Sequence, residues 1–186
     1  MSQLILIKHS LPEIDPQKPA PEWPLSAVGR ARCVSLAARV QPYAPAHIFS
    51  SREPKAAETA QILAEQLGLP FEPANDLHEH VRPKPGWMGR EQFKTAVKQL
   101  FDEPDKLVMG NEAANAAHAR FAHAVNALAE RHPTQTIAIV AHGTVITLFV
   151  SRLTGLAPFP LWQRLGLPAF VVLEGTKLLT IVESVE

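Results

Sequence analysis

Residues 4–13, LILIKHSLPE, decide how this chain is read. Leu4 to Ile7 are four aliphatic residues in a row, which predicts a strand covered on both faces, because a half-wet strand alternates apolar and polar side chains. The run stops at Lys8, His9 and Ser10, and Pro12 then turns the chain away. Residues 134–143, TQTIAIVAHG, have the same shape: an apolar strand that ends directly in His142. In open α/β sheets the site lies beyond the carboxyl ends of the strands. Two separate strands thus deliver a histidine each to one edge of a sheet.

The rest of the chain supplies the helices that such a sheet needs. Leu11–Leu25 holds Pro12, Pro16, Pro19, Pro21 and Pro24, which excludes helix and central strand. Ser26 is a helix N-cap, and Ala27, Ala31, Val34 and Ala38 share one face of the helix that ends before Pro42. His47–Ser50 reads as a short strand. Pro54 suits the first turn of a second helix, which runs to Leu67 and stops at Gly68. Pro70–Glu72 reads as extended, and so does Leu77–His80. Within Val81–Gly110, RPKPGWMG is a loop and REQFKTAVKQLF a short helix; together they form a small cap insertion. An alanine-rich helix follows over Glu112–Arg131, its apolar stripe being Ala117, Phe121, Ala124, Val125 and Leu128. Gly143–Leu153 is a further helix, and Ala169–Leu173 with Leu178–Val182 closes the chain as a strand pair around Gly175. Alternating strands and helices make the fold class α/β with a mostly parallel sheet.

Composition narrows the function. A chain of 186 residues suits one domain, 1–186. Lysine plus arginine number 18 and aspartate plus glutamate 18, so the net charge supports neither a nucleic-acid nor a membrane partner. The lone Cys33 rules out an intrachain disulfide and a cysteine zinc site. The short apolar runs predict a soluble, cytoplasmic protein.

These stretches together resemble the histidine phosphatase superfamily, the phosphoglycerate-mutase-like proteins. LILIKHSLPE is similar to that family's first strand, which ends in Arg-His-Gly. PLSAVGRAR resembles its Pro-Leu-Thr-x-x-Gly stretch, FSSREPKAAETAQILAEQLG its Ser-Ser-x-x-x-Arg-Ala-x-x-Thr-Ala helix start, and LHE the segment with its acidic residue. IVAHGTVITLFVSRL resembles its second histidine motif and LPAFVVLE its closing strand. The matches keep their order and span nearly the whole chain.

The resemblance implies a three-layer sandwich and a phosphatase that needs no metal or other cofactor. It makes His9 the nucleophile that takes up the phosphoryl group, Glu79 the acid and base, and His142 a phosphate-orienting group. Lys8, Lys55, Ser10, Gly143 and Arg52 are the expected phosphate binders. The residue types suit the chemistry, since phosphoryl transfer is largely positioning and charge stabilisation around three oxygens. Substrates implied are a small phosphorylated molecule or a phosphoprotein. Lys8 and Lys55 stand where the family has arginines, and Ser10 where it has glycine. Lysine lacks the two-pronged grip of a guanidinium. That keeps open a catalytically weakened phosphate- or phosphopeptide-binding module, and a phosphomutase is a further reading. Arg52 and Arg82 are the candidates to supply a substitute guanidinium. His78 and His80 of HEH admit a separate reading as metal ligands on one strand face. Lys55 near a helix start opposes the helix dipole, a conflict that a bound anion would relieve.

Overall fold

The computed structural model describes residues 2–82 and 89–186. Most of the RPKPGWMG loop, Trp87 included, lies outside the described residues. The aliphatic runs form strands β1 (Leu4–Lys8), β2 (His47–Ser50), β3 (Phe71–Pro73), β4 (Ile137–Ala141), β5 (Ala169–Glu174) and β6 (Lys177–Val182). They join in one sheet of order β3-β2-β4-β1-β5-β6. The pairs β2–β3, β2–β4 and β1–β4 are parallel, and β5 runs antiparallel to both β1 and β6. The helices are α1 (Ala27–Val40), α2 (Pro54–Leu67), α3 (Arg90–Asp102), α4 (Ala114–Arg131), α5 (Gly143–Thr154) and α6 (Pro158–Arg164).

Helices cover both faces, which explains the unbroken aliphatic run. Ile5 and Ile7 pack with Leu36 and Val40 of α1 and with Ala60 and Leu63 of α2. Leu6 lies in the opposite layer with Phe121 and Val125 of α4 and Val145 of α5. Each fully buried aliphatic side chain contributes about 1.5–3 kcal/mol against exposure. β4, between β2 and β1, is buried at all five positions. The result is a three-layer α/β sandwich.

Four local expectations need correction or addition. Ala27, Ala31, Val34 and Ala38 face solvent; the buried side of α1 is Gly29, Cys33, Leu36, Ala37 and Val40. Both stripes have helical spacing, and the second wins because it carries the larger aliphatics and the one residue small enough to touch Leu11. A Cβ on Gly29 would lie 2.0 Å from the Leu11 carbonyl oxygen. Leu77–His80 is irregular backbone outside the sheet. The proline-rich segment includes a single 3-10 turn at Ala20–Glu22 and a bridge from Pro12 to Leu25. Finally, α6 escapes a sequence reading because of Pro158 and Pro160. Both fall in its first turn, where the missing N–H has no intrahelical partner anyway.

The helix starts are made locally. Ser26 Oγ accepts the Gly29 amide at 3.0 Å, a cap worth about 1 kcal/mol, and α2 opens on Pro54.

Candidate active site

The register of β1 on β4 aligns Lys8 with Ala141, so the next residues, His9 and His142, emerge side by side. The His9 amide extends the ladder to the Ala141 carbonyl at 3.0 Å. The two buried rings meet edge to face with centroids 5.2 Å apart. β2 ends at the same edge, with the Ser51 amide donating to Val140, so α2 begins next to the histidines.

His9 Nδ1 lies 2.7 Å from the Ser10 carbonyl oxygen. A carbonyl only accepts, so Nδ1 carries the proton and Nε2 keeps its lone pair. Burial above all, then His142, Lys55 and Lys8, hold the His9 pKa well below its ordinary value, against the pull of the Ser10 carbonyl. The ring is therefore neutral. His142 is the residue before α5, with no side-chain bond to that helix, and burial lowers its pKa to about 3 although Glu79 pulls the other way. Neither His142 ring nitrogen has a hydrogen-bond partner among the described residues.

Glu79 reaches the site from the irregular segment after β3. One carboxylate oxygen accepts the His80 amide at 2.8 Å, the other the Thr144 amide at the start of α5 at 3.1 Å. Burial raises its pKa, but Arg82 and the two amides outweigh that, and the net shift is downward. Arg82 stands 3.7 Å from Glu79 and lies over the Phe93 ring. Arg120 of α4 holds the segment in place. Its guanidinium donates to the carbonyls of Asp76, His78 and Glu79, braced by Glu112 through two contacts of 2.9 Å. Sequence reading missed this brace; charged residues on an otherwise alanine-rich helix are its only local sign.

The two lysines are both engaged by protein. Lys8 Nζ donates to the Leu165 carbonyl at 2.6 Å. Its stem lies on Gly143, where a Cβ would come within 3.2 Å of Lys8 Cε. Burial lowers the Lys8 pKa from 10.5 to about 8, with Glu79 opposing. Lys55 is buried; it donates to the Ala20 carbonyl at 2.8 Å and to Glu53 Oε2 at 2.5 Å. The anion beside this lysine thus comes from the chain itself. Glu53 Oε1 also accepts the Glu79 amide at 2.9 Å and stands 3.5 Å from His142 Nε2. Glu53 had no place in the sequence reading, although it directly precedes α2.

Among the expected residues, His9, His142, Glu79, Lys8, Lys55 and Gly143 come together. The Ser10 hydroxyl donates to the Gly29 carbonyl at 2.7 Å, toward α1. Arg52 is exposed and donates to Asn75 Oδ1; with Asn75, Asp76 and His78 it lines a groove of about 310 Å³. His78 and His80 share no strand face, since His80 Nε2 donates to the Glu112 carbonyl at 2.6 Å. Among the described residues no group of three or more His, Cys, Asp or Glu side chains could hold a metal ion.

Paired histidines at parallel strand ends with a carboxylate beside them agree with the motifs of LILIKHSLPE and IVAHGTVITLFVSRL, while Lys8 and Lys55 stand in place of arginines. The chain belongs to the histidine phosphatase superfamily (branch 1), whose family model matches residues 4–176. Solved structures share its fold. The mycobacterial glucosyl-3-phosphoglycerate phosphatase complexed with VO3 is 21% identical, covers 94% of this chain and 91% of its own, and has a TM-score of 0.76. A phosphoserine phosphatase mutant from Entamoeba histolytica, in complex with phosphoserine, is 19% identical over 98% and 97%, TM-score 0.75. The alpha-ribazole phosphatase from Shigella flexneri is 20% identical over 98% and 96%, TM-score 0.72. No curated protein matches the sequence significantly. No helix among the described residues is long and apolar enough to cross a membrane.

Proposed function

We propose that this protein is a phosphatase that hydrolyses a phosphomonoester through a phosphohistidine on His9. The observation that carries the reading is the neutral His9 ring, its proton held on Nδ1 by the Ser10 carbonyl and its Nε2 lone pair free. In the first step Nε2 attacks phosphorus, the N–P bond forms and the ester P–O bond breaks. The leaving oxygen takes a proton from Glu79. In the second step water attacks phosphorus, the Glu79 carboxylate takes its proton, the N–P bond breaks, and inorganic phosphate leaves with His9 restored. Glu79 is a carboxylate in the ligand-free site. An arriving phosphate anion raises its pKa by like-charge repulsion and loads it as the acid.

Lys8, Lys55, His142 and the amides at the start of α5 then stabilise the transferring group. The route needs no metal. The substrate is a small phosphorylated molecule or a phosphoprotein in the cytoplasm, handled by a single domain over 1–186 with 81–110 as its cap. Structural relatives named for glucosyl-3-phosphoglycerate, phosphoserine and alpha-ribazole support the small-molecule side of that choice. One observation favours the second reading, a weakened phosphate-binding module: both lysines already bond protein acceptors.

The test is to incubate wild type with a radiolabelled phosphodonor, quench in base and map the label. Acid-labile, base-stable phosphate on His9 is expected. Turnover without such label rules out the covalent route, and phosphate binding without turnover selects the binding module. A second prediction concerns Arg120. Lysine at that position keeps a charge but cannot span three carbonyls, so Arg120→Lys lowers aryl phosphate turnover about tenfold by loosening Glu79, as a lost outer contact does around other sites. Unchanged kcat would remove Arg120 from the positioning of Glu79.

A further inference from the structure

We propose that Glu53 is an internal anion seated in the phosphate position of this site, so that phosphate binds only by displacing it; this deepens the phosphatase reading and rests on it. Three observations point there. First, the carboxylate holds a cation and a backbone amide, Lys55 Nζ at 2.5 Å and the Glu79 N–H at 2.9 Å, and it stands 3.5 Å from the neutral His142 Nε2 without a hydrogen bond to it. These are the partners that a phosphate oxygen uses. Secondly, Glu53 is the N-cap residue of α2, yet its side chain does not cap that helix. It reaches across to Glu79 instead, and only 10% of it is exposed. Thirdly, His142 is fully buried, and both its ring nitrogens lack hydrogen-bond partners among the described residues.

The charge balance agrees. Lys8, Lys55 and Arg82 set against Glu53 and Glu79 leave one net positive charge. A phosphomonoester dianion would then face an excess of one negative charge, which vanishes once Glu53 is withdrawn or neutralised. A substrate must therefore bring binding energy from its non-phosphate part to unseat Glu53. That disfavours free phosphate and selects for phosphomonoesters with a well-bound leaving group.

The experiment is calorimetric titration of inorganic phosphate at neutral pH into wild type, Glu53→Gln and Glu53→Leu, with thermal melting alongside. Both variants should bind phosphate at least about tenfold more tightly than wild type, because a like charge leaves the site. Each variant also leaves Lys55 buried without its anion, so each should melt lower than wild type and regain most of the loss in phosphate. A purely structural Glu53 would give lower melting without that rescue. Equal or weaker phosphate binding in the variants, absence of binding included, overturns the inference. If His9 of wild type still takes up label in that case, the phosphatase reading survives; if it does not, both fall together.

Discussion

Alanine at position 9 is expected to lower aryl phosphate hydrolysis by about a thousandfold or more, the scale on which removing a covalent nucleophile acts in a hydrolase. The loss follows from how His9 is held. Its amide belongs to the β1–β4 ladder and its Nδ1 proton to the Ser10 carbonyl, so only Nε2 is available to react. Among the described residues the ring makes no other hydrogen bond that the fold would lose. Steady-state rates of the two proteins, with circular dichroism to check the fold, make the measurement. A variant rate within tenfold of wild type would exclude His9 as the nucleophile. The pH profile adds an independent check. The His9 pKa is held well below 6.5, chiefly by burial, so its protonation state stays constant through mildly acidic and neutral pH. A rate that falls on acidification with a midpoint near 6.5 would contradict that burial.

The second large effect concerns Lys8, where stability and phosphate affinity are expected to move in opposite directions. The unfolded chain holds the Lys8 proton up to the ordinary value of 10.5, the folded chain only to about 8. Below about pH 8 the ammonium is charged in both states and folding bears the net cost of its half-buried site, about 3 kcal/mol on the linkage scale. Between 8 and 10.5 the unfolded state binds more protons, so stability rises with pH across that window. Lys8→Met removes the half-buried charge and leaves the Leu165 carbonyl without its donor. The net gain expected at neutral pH is about 1–2 kcal/mol, read by chemical denaturation. Phosphate affinity should fall at least about tenfold at the same time. In Lys8→Arg the cation persists above pH 8, and the alkaline limb of phosphate binding that wild type shows near that pH should move upward. Loss of stability in Lys8→Met together with unchanged phosphate affinity would mean that Lys8 serves the fold through Leu165 and not the anion.

Much of the fold was legible because it is written in short contiguous runs. Leu4–Ile7 and Ile137–Ala141 announce strands buried on both faces, and the helices covering the sheet supply the apolar contacts. Ser26 and Pro54 mark helix starts that the structure keeps. The histidines were legible for the same reason, since each follows its strand directly and the parallel register brings them together. The buried side of α1 was not legible, because two stripes of helical spacing compete on that helix and local pattern does not rank them. Nor was α6, whose two prolines read as loop when seen without the first-turn context.

The site divides along the same line. The residues alone show two apolar strands ending in His9 and His142 and bringing both to one edge of the sheet. The family resemblance, not the residues alone, pointed to Glu79 and to lysines in place of arginines. Where each charge goes is set by the packing of the layers. Lys8 meets a carbonyl 157 residues away, Lys55 meets Ala20, and Glu53 meets the amide of Glu79 26 residues on. Arg120 crosses from α4 to hold the segment that carries Glu79. Strand and helix formation depend on neighbours a few residues apart, which a sequence displays. The partner of a buried charge is whichever group the packed layers bring within hydrogen-bond distance, and that depends on the whole chain at once.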